Sequence, residues 1–315
     1  MTPRYRARVR ALVVSNMAAS RERPGRGVFV RDQVAALRRR GDVDVELFEF
    51  APGALAYPLA ALALRGRYAD ARFDVVHAHF GLTAWPSLAL RGPRHAVTLH
   101  GTDVRHPRSR AITLAALGRM DLVATVSQSL ADELGASRRP TAVLPCGVAL
   151  ERFRPIPRSA ARMALGIDQA TPCLLFPTDP ARRVKRYDRA LEVADGVRLI
   201  TLGRTAPDHV TLAINAANAV LVPSDAEGFG LAVLEALACE VPVLATPVGV
   251  HEEALAGLEG PLCAPYDRLR WRAAAAALLA DPDPRVAGGR ARAAEYSSEV
   301  MAERVVEAWQ RVLDV

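Results

Sequence analysis

The chain has 315 residues, half of them hydrophobic and 24% charged, which excludes a disordered protein and suits two domains of about 150 residues better than one core. Its formal net charge is +7, yet every basic residue except Lys185 is an arginine, in a chain rich in Ala, Val and Leu. Such a bias follows the base composition of a genome, so the charge points to anionic small substrates or an anionic membrane surface and not to nucleic acid.

In chain order, the basic start (Arg4, Arg6, Arg8 and Arg10) is not followed by an apolar core and a small-residue cleavage site, so no signal peptide is expected. A strand is predicted at 9–14, then a loop with Gly25 and Gly27. A helix over 28–40 has Val30, Val34 and Leu37 at helical spacing, arginines in its last turn and Gly41 as its C-cap. Further strands are predicted at 45–50, 74–79, 96–99, 122–126 and 142–145, with a helix starting at Ser127, a good N-cap. The most lipid-like run, 54–64, contains Pro58 and is about half the length that spans a bilayer. Two prolines in 152–157 mark a linker between an N-terminal domain (1–155) and a C-terminal one (156–296).

The second part repeats the alternation, with strands at 173–177, 198–202, 219–223 and 242–246 and a helix beginning near Leu231. Only one helix, at 208–217, fits between the second and third of these strands. Helical segments at 269–280 and 297–313 close the chain, and residues 297–315 are a candidate to pack back on the N-terminal domain. Near-continuous apolar strands separated by helix-length segments predict parallel sheets covered on both faces. The expected architecture is two doubly wound, Rossmann-like α/β domains, the second one trimmed.

The chemistry concentrates where strands end. In 223–238 a strand runs into a glycine-containing loop and then a helix, whose first amides (Phe229, Gly230, Leu231) can meet a diphosphate. Glu227 lies in the loop and Glu235 about one turn inside the helix. Lys185 follows the first strand of the second domain, where it can meet a diphosphate as a point charge. His100 follows a strand and precedes Gly101 and Asp103. His77 and His79 are spaced to face one side of a strand but have no third ligand, so no metal site is expected. Asp281 and Asp283 match an Asp-x-Asp spacing, but they follow a long helix and read as its stop. Cys146, Cys173, Cys239 and Cys263 show no C-x-x-C spacing, which argues against a disulfide framework or a zinc site.

The segment 223–238 resembles the Glu-x7-Glu motif of the large retaining glycosyltransferase family that includes sucrose synthases and bacterial mannosyltransferases. The stretches 24–30, 74–79, 98–103, 144–155 and 246–253 are similar to that family's motifs and fall in its order, over nearly the whole chain. Three departures stand out. Val250 follows Gly249 where the family often has a second glycine, Asp179 stands where it usually has an arginine, and the second domain is short.

The resemblance implies the GT-B fold and a set of roles. Glu227 would sit near the donor sugar's hydroxyls, Glu235 would bond the ribose, and His100 would touch the transferred sugar. Lys185, with Arg182 or Arg183 in place of the missing arginine, would meet the diphosphate, with Gly27, Gly203, Phe229, Gly230 and Leu231 completing the donor site. Gly25 and Asp103 would lie on the acceptor side. The activity implied is transfer of a sugar from a nucleotide-diphosphate sugar to a glycan, lipid-linked or small-molecule acceptor, with retention of configuration. No metal and no cofactor beyond the nucleotide co-substrate are expected. The expected location is cytoplasmic, and the positive charge is compatible with peripheral contact at the inner membrane face. A sugar-nucleotide epimerase or hydrolase, or a silent binding subunit of the same fold, remains the alternative.

Overall fold

Residues 8–135, 141–203 and 205–314 are described by the computed structural model; Arg4 and Arg6 of the basic start lie outside them. By internal contacts the chain divides into two units. The first comprises the chain up to Ala19, Arg26–Gly147 and the chain from Ser298 onward; the second comprises Ser20–Gly25 and Val148–Ser297.

The first unit is built on six parallel strands, β1 (Val9–Ser15), β2 (Val43–Glu49), β3 (Val75–His79), β4 (Arg94–Leu99), β5 (Leu122–Thr125) and β6 (Thr141–Val143). Their order in the sheet is β2-β1-β3-β4-β5-β6. Leu12, Val13 and Val14 of β1 are all fully buried, as a central strand covered on both faces requires. Around the sheet lie α1 (Val28–Arg40), α2 (Ala56–Arg67), α3 (Ala84–Ser87), α4 (Thr102–Arg105), α5 (Pro107–Leu117) and α6 (Gln128–Leu134). The helix α1 ends as its sequence indicates: Arg38, Arg39 and Arg40 fill the last turn and Gly41 takes a left-handed φ of 78°. Ser127 caps α6 through Oγ, which accepts from the Leu130 amide.

The second unit contains α7 (Arg158–Ala164), β7 (Cys173–Phe176), α8 (Tyr187–Ala194), β8 (Arg198–Thr201), α9 (Pro207–Ala216), β9 (Ala219–Val222), α10 (Leu231–Ala238), β10 (Val243–Ala245), α11 (His251–Leu255), β11 (Leu262–Cys263), α12 (Arg268–Ala280) and α13 (Gly289–Ala294). Its five parallel strands run in the order β11-β10-β9-β7-β8. Only α9 separates β8 from β9, so the sheet stops at β8 as an edge strand. Leu174, Phe176, Leu221, Leu244 and the fully buried Trp271 form the core on one face of this sheet.

Two segments group differently from the sequence boundaries. The proline stretch 152–157 lies inside the second unit, where side chains satisfy its irregular backbone. The Ile156 amide donates to Asn215 Oδ1 (2.8 Å), Asn215 Nδ2 donates to the Arg154 carbonyl (3.1 Å), and Arg290 Nη1 donates to that of Phe153 (2.8 Å). The crossing between units falls earlier, at Gly147. The last helix, α14 (Ser298–Leu313), belongs to the first unit, packing on α1, β4 and β5. Its Met301, Val305, Ala308, Trp309 and Val312 are buried at helical spacing.

Candidate functional site

Each sheet reverses its strand order at one point, between β1 and β3 in the first unit and between β7 and β9 in the second. Open α/β sheets bind ligands beyond the carboxyl ends of strands at such a switch, where loops diverge and leave a crevice. Glu227 and Lys185 follow the strands of one switch; Gly27 follows one strand of the other, and His79 ends its partner strand.

In the second unit the loop after β7 carries Arg182, Arg183 and Lys185, and the loop after β9 carries Glu227. The switch brings the two loops together: the Asp225 amide donates to the Val184 carbonyl at 2.9 Å. Lys185 Nζ then reaches both oxygens of Glu227, at 2.6 and 2.5 Å. Ser224 Oγ donates to Glu227 Oε1 at 2.7 Å, and Thr246 Oγ1 holds the Ser224 carbonyl at 2.5 Å. The pair is nearly closed off from water, with 14% of the Lys185 side chain and 9% of Glu227 exposed. Burial is the largest single influence on the Glu227 carboxyl and would raise it; the charge of Lys185, followed by His251 and the hydrogen bonds from Lys185 and Ser224, together outweigh it and hold the group below its ordinary range. Burial lowers the Lys185 ammonium despite the facing carboxylate, and Arg182 pushes it the same way. The two short contacts fit an ionised pair. Arg182 and Arg183 are both exposed, but it is Arg182 whose charge Lys185 feels.

The start of α10 is shaped by two glycines. Gly230 has φ +115°, and a Cβ there would lie 2.5 Å from His251 Nε2; Gly249 has φ +62°, and a Cβ would lie 2.2 Å from the Phe229 carbonyl. His251 donates through Nδ1 to the Thr246 carbonyl (2.9 Å), which leaves Nε2, facing Gly230, as a buried acceptor without a partner among the described residues. Leu231 opens the helix, and Glu235 is half-buried one turn further on. Gly203 packs on Asp179, so closely that a Cβ on the glycine would lie 3.2 Å from the Asp179 Cα, and Asp179 Oδ1 accepts from the Ala181 amide at 2.9 Å. The aspartate at the departing position thus closes a turn of the loop that carries Lys185.

In the first unit Gly27 begins α1 with φ +71°, and any Cβ would strike the Met17 carbonyl at 2.3 Å. Gly25 has open space around it and groups with the second unit. Phe29 packs its ring on His100, 5.1 Å between centroids. His100 and His79 are linked, Nε2 to Nδ1, at 3.0 Å, and His79 stacks on His77. Trp309 Nε1 donates to His77 Nδ1 at 3.0 Å, so the His77 proton sits on Nε2 and is given to Thr98 Oγ1 at 2.7 Å. Burial pushes His77 down to about 4 and His100 down to about 3, and lowers His79 well below its ordinary value, so all three rings are neutral at neutral pH. Phe29, Gln33, His79, His100, Cys146 and Met301 line a small cavity at these strand ends.

Asp103 lies in the first unit and holds backbone. It is buried, and its carboxylate accepts from the amides of His100 (3.0 Å), Gly101 (2.8 Å) and Gly81 (3.1 Å), stapling the loops after β3 and β4. Asp281 ends α12 and accepts from the Asp283 amide, while Asp283 pairs with Arg285 and Arg158. Among the described residues no three His, Cys, Asp or Glu side chains converge as metal ligands. Ser224, Thr246 and His251, which complete the Glu227 environment, lie within the motif stretches 223–238 and 246–253 but were not singled out by sequence.

With this geometry in place, two matches cover most of the chain: Glycosyltransferase Family 4 over residues 6–152 and Glycosyl transferases group 1 over residues 179–298. A D-inositol 3-phosphate glycosyltransferase of Geodermatophilus obscurus is 30% identical over 81% of this chain and 70% of its own length. The chain belongs to this glycosyltransferase family. Another relative of this glycosyltransferase, the D-inositol 3-phosphate glycosyltransferase of Nocardia farcinica, is 28% identical over 92% of the chain and 85% of its own length. Its fold is that of solved GT-B enzymes. Sucrose-phosphate synthase from Thermosynechococcus elongatus superposes with a TM-score of 0.77 at 20% identity, covering 98% of this chain and 100% of that one. Anabaena HepE in complex with UDP-glucose gives 0.65 at 17% identity, covering 97% and 98%.

Proposed function

We propose that this glycosyltransferase moves a sugar from a nucleotide-diphosphate sugar to an acceptor, with retention of configuration and without a divalent metal. The observation that carries the reading is the buried Lys185–Glu227 pair at the β7/β9 switch, next to the open N-terminus of α10. Breaking the bond from sugar to diphosphate puts negative charge on the leaving group. Lys185, Arg182 and the amides of Phe229, Gly230 and Leu231 are the groups that would receive it. Glu227 would accept from the donor sugar's hydroxyls, and Glu235 from the ribose. Gly203 and Gly27 would lie beside the phosphates. His100, neutral, would give or accept one hydrogen bond at the transferred sugar. The presence of UDP-glucose in HepE supports a nucleotide sugar as donor. The names of the relatives make a phosphorylated polyol the first acceptor to try, before glycan and lipid-linked ones. We place the enzyme in the cytoplasm, where nucleotide sugars are available, with no cofactor besides the donor.

Glu235 offers the direct test. Glu235→Ala weakens nucleotide binding by about 1.5–3 kcal/mol while the fold survives, as loss of a charge-assisted hydrogen bond predicts. Unchanged affinity in calorimetry refutes the assignment. The same titration run with UDP-, GDP- and ADP-sugars names the donor, because only the true one stabilises the protein against heat by a few kcal/mol at saturation. Product formed without any acceptor would instead identify an epimerase or hydrolase.

Metal independence is tested separately. Activity persists in excess EDTA, and Asp281→Ala with Asp283→Ala leaves turnover nearly unchanged, since cationic side chains and helix amides do the work of an ion. Loss of activity on chelation with recovery in Mn²⁺ would overturn this donor site.

A further inference from the structure

Away from the strand ends, the exposed large apolar side chains of the first unit are not scattered. Among the described residues they are Leu55, Leu59, Leu62, Trp85, Ile112 and Leu114, and all lie on α2 or its N-cap, α3 and α5. The helix α2 buries Ala60 and Leu64 against the unit, while Leu55, Leu59 and Leu62, spaced by four and three, are 76%, 62% and 66% exposed on its opposite face. An ordinary surface helix carries charge there; this one is apolar on both faces. Pro58, Ala63 and Gly66, also exposed, complete the outer face without adding polarity.

The charge on these helices is mostly basic, with the exposed Asp70 just past the end of α2. From Ala51 to Ala69 there is no Asp or Glu, and there is none in α3 or α5. Arg65 and Arg67 are exposed in the last turn of α2, and Arg108 is exposed at the start of α5. The helix α2 packs on α3 and α3 on α5, so these groups belong to neighbouring elements. Trp85 Nε1 donates to the Ile112 carbonyl at 3.1 Å, and the Arg119 guanidinium lies 5.2 Å over the Trp85 ring.

We propose that the α2–α3–α5 face docks on the surface of an anionic lipid bilayer. A helix of 12 residues is too short to span one, but it can lie in the interface with its leucines among the acyl chains. Tryptophan suits the headgroup level, arginines suit lipid phosphates, and the lack of carboxylates within the three helices limits the repulsion an anionic surface would otherwise meet. A second copy of the chain fits less well, because a two-fold contact through this face would set arginines against arginines. The inference is independent of the donor-site reading and adds to it where the acceptor is met.

Flotation of the full chain with vesicles tests it. The protein co-floats with phosphatidylcholine vesicles containing phosphatidylglycerol, does so far less with phosphatidylcholine alone, and is released by added salt. Leu59→Glu with Leu62→Glu lowers the bound fraction on the order of tenfold or more, and Arg65→Ala with Arg67→Ala weakens binding and flattens its salt dependence. Both pairs keep the parent's melting temperature and far-UV circular dichroism, because the side chains are exposed. Absence of flotation, flotation that ignores anionic lipid, or binding unaffected by either pair overturns the proposal. So does a wild-type dimer in sedimentation velocity that Leu59→Glu with Leu62→Glu disperses, which would assign the face to a second copy.

Discussion

Lys185→Ala lowers turnover by roughly a hundredfold or more, because it removes the cation proposed to meet the leaving diphosphate. The structure adds a second effect to this substitution. Glu227 would be left as a buried carboxylate whose remaining polar contacts cannot replace a counter-ion, at a cost on the order of 3 kcal/mol. Adding Glu227→Gln separates the two effects, since an amide needs no counter-ion. The double variant recovers most of the melting temperature, while its turnover stays low because Glu227 is itself a donor-site group. Binding provides the matching check: affinity for the nucleoside diphosphate falls, and affinity for the free nucleoside does not. Equal losses for both ligands would show that Lys185 serves only to hold Glu227. Arg182→Ala is expected to cost more than Arg183→Ala, because the Arg182 charge already acts on Lys185.

Acid weakens the fold in a window set by histidines. His77, His79, His95, His100 and His251 are all lowered by burial from 6.5, His77 to about 4 and His100 to about 3. Between these values and 6.5 the unfolded chain binds protons that the folded chain does not, so stability rises with pH. The full contribution is present above 6.5 and is lost as pH falls toward 4. His77 alone accounts for a change on the order of 3 kcal/mol over that range. Urea unfolding at pH 7.5, 6 and 5 measures the loss, and above pH 5 carboxylate titration adds little to it. His77→Asn should flatten the slope by about one proton, whatever it does to stability at neutral pH. A stability constant from pH 7.5 to 5 would contradict neutral burial of these rings. With the rings buried and neutral, any ionisation near pH 6.5 in kcat/KM belongs to a group other than His100.

What the sequence disclosed follows the strength of local signals. The ends of α1 were marked by Gly27 and Gly41, whose positive φ demands glycine, and the start of α10 by Gly230. The period of α14 was visible because its buried face is continuous and its outer face charged. Where the local rules are broken, the helices were hidden. The helix α2 is apolar on both sides and contains Pro58, so it looked like a short lipid-like run. In α7 the core-facing positions include Arg158 and Arg162, both buried. Arg162 lies there because it donates to the Ala216 carbonyl at 3.1 Å and to Asn218 Oδ1 at 3.0 Å, partners more than fifty residues away. The candidate site shows the same limit. Glu227 and Lys185 could each be picked out, but their pairing depends on β7 lying beside β9, and no spacing along the chain reveals that. Asp103 stood next to His100 in sequence, while the direction of its carboxylate, into three backbone amides, was a matter of tertiary structure.

The position of α14 also sets an order of events during synthesis. Met301, Ala302, Val305, Val306, Ala308 and Trp309 share one hydrophobic cluster with Val13 of β1 and with Val30, Val34 and Leu37 of α1. Trp309 also supplies the hydrogen bond that fixes the proton of His77. The first unit to leave the ribosome therefore lacks one wall of its core until the second unit has been made in full. Its closing contacts span almost the whole chain, which slows their formation and leaves apolar surface uncovered meanwhile. The second unit, drawn almost wholly from Val148–Ser297, has no such wait. Vectorial folding of the first unit consequently closes back at β1, with α14 as the piece that seals the nascent core.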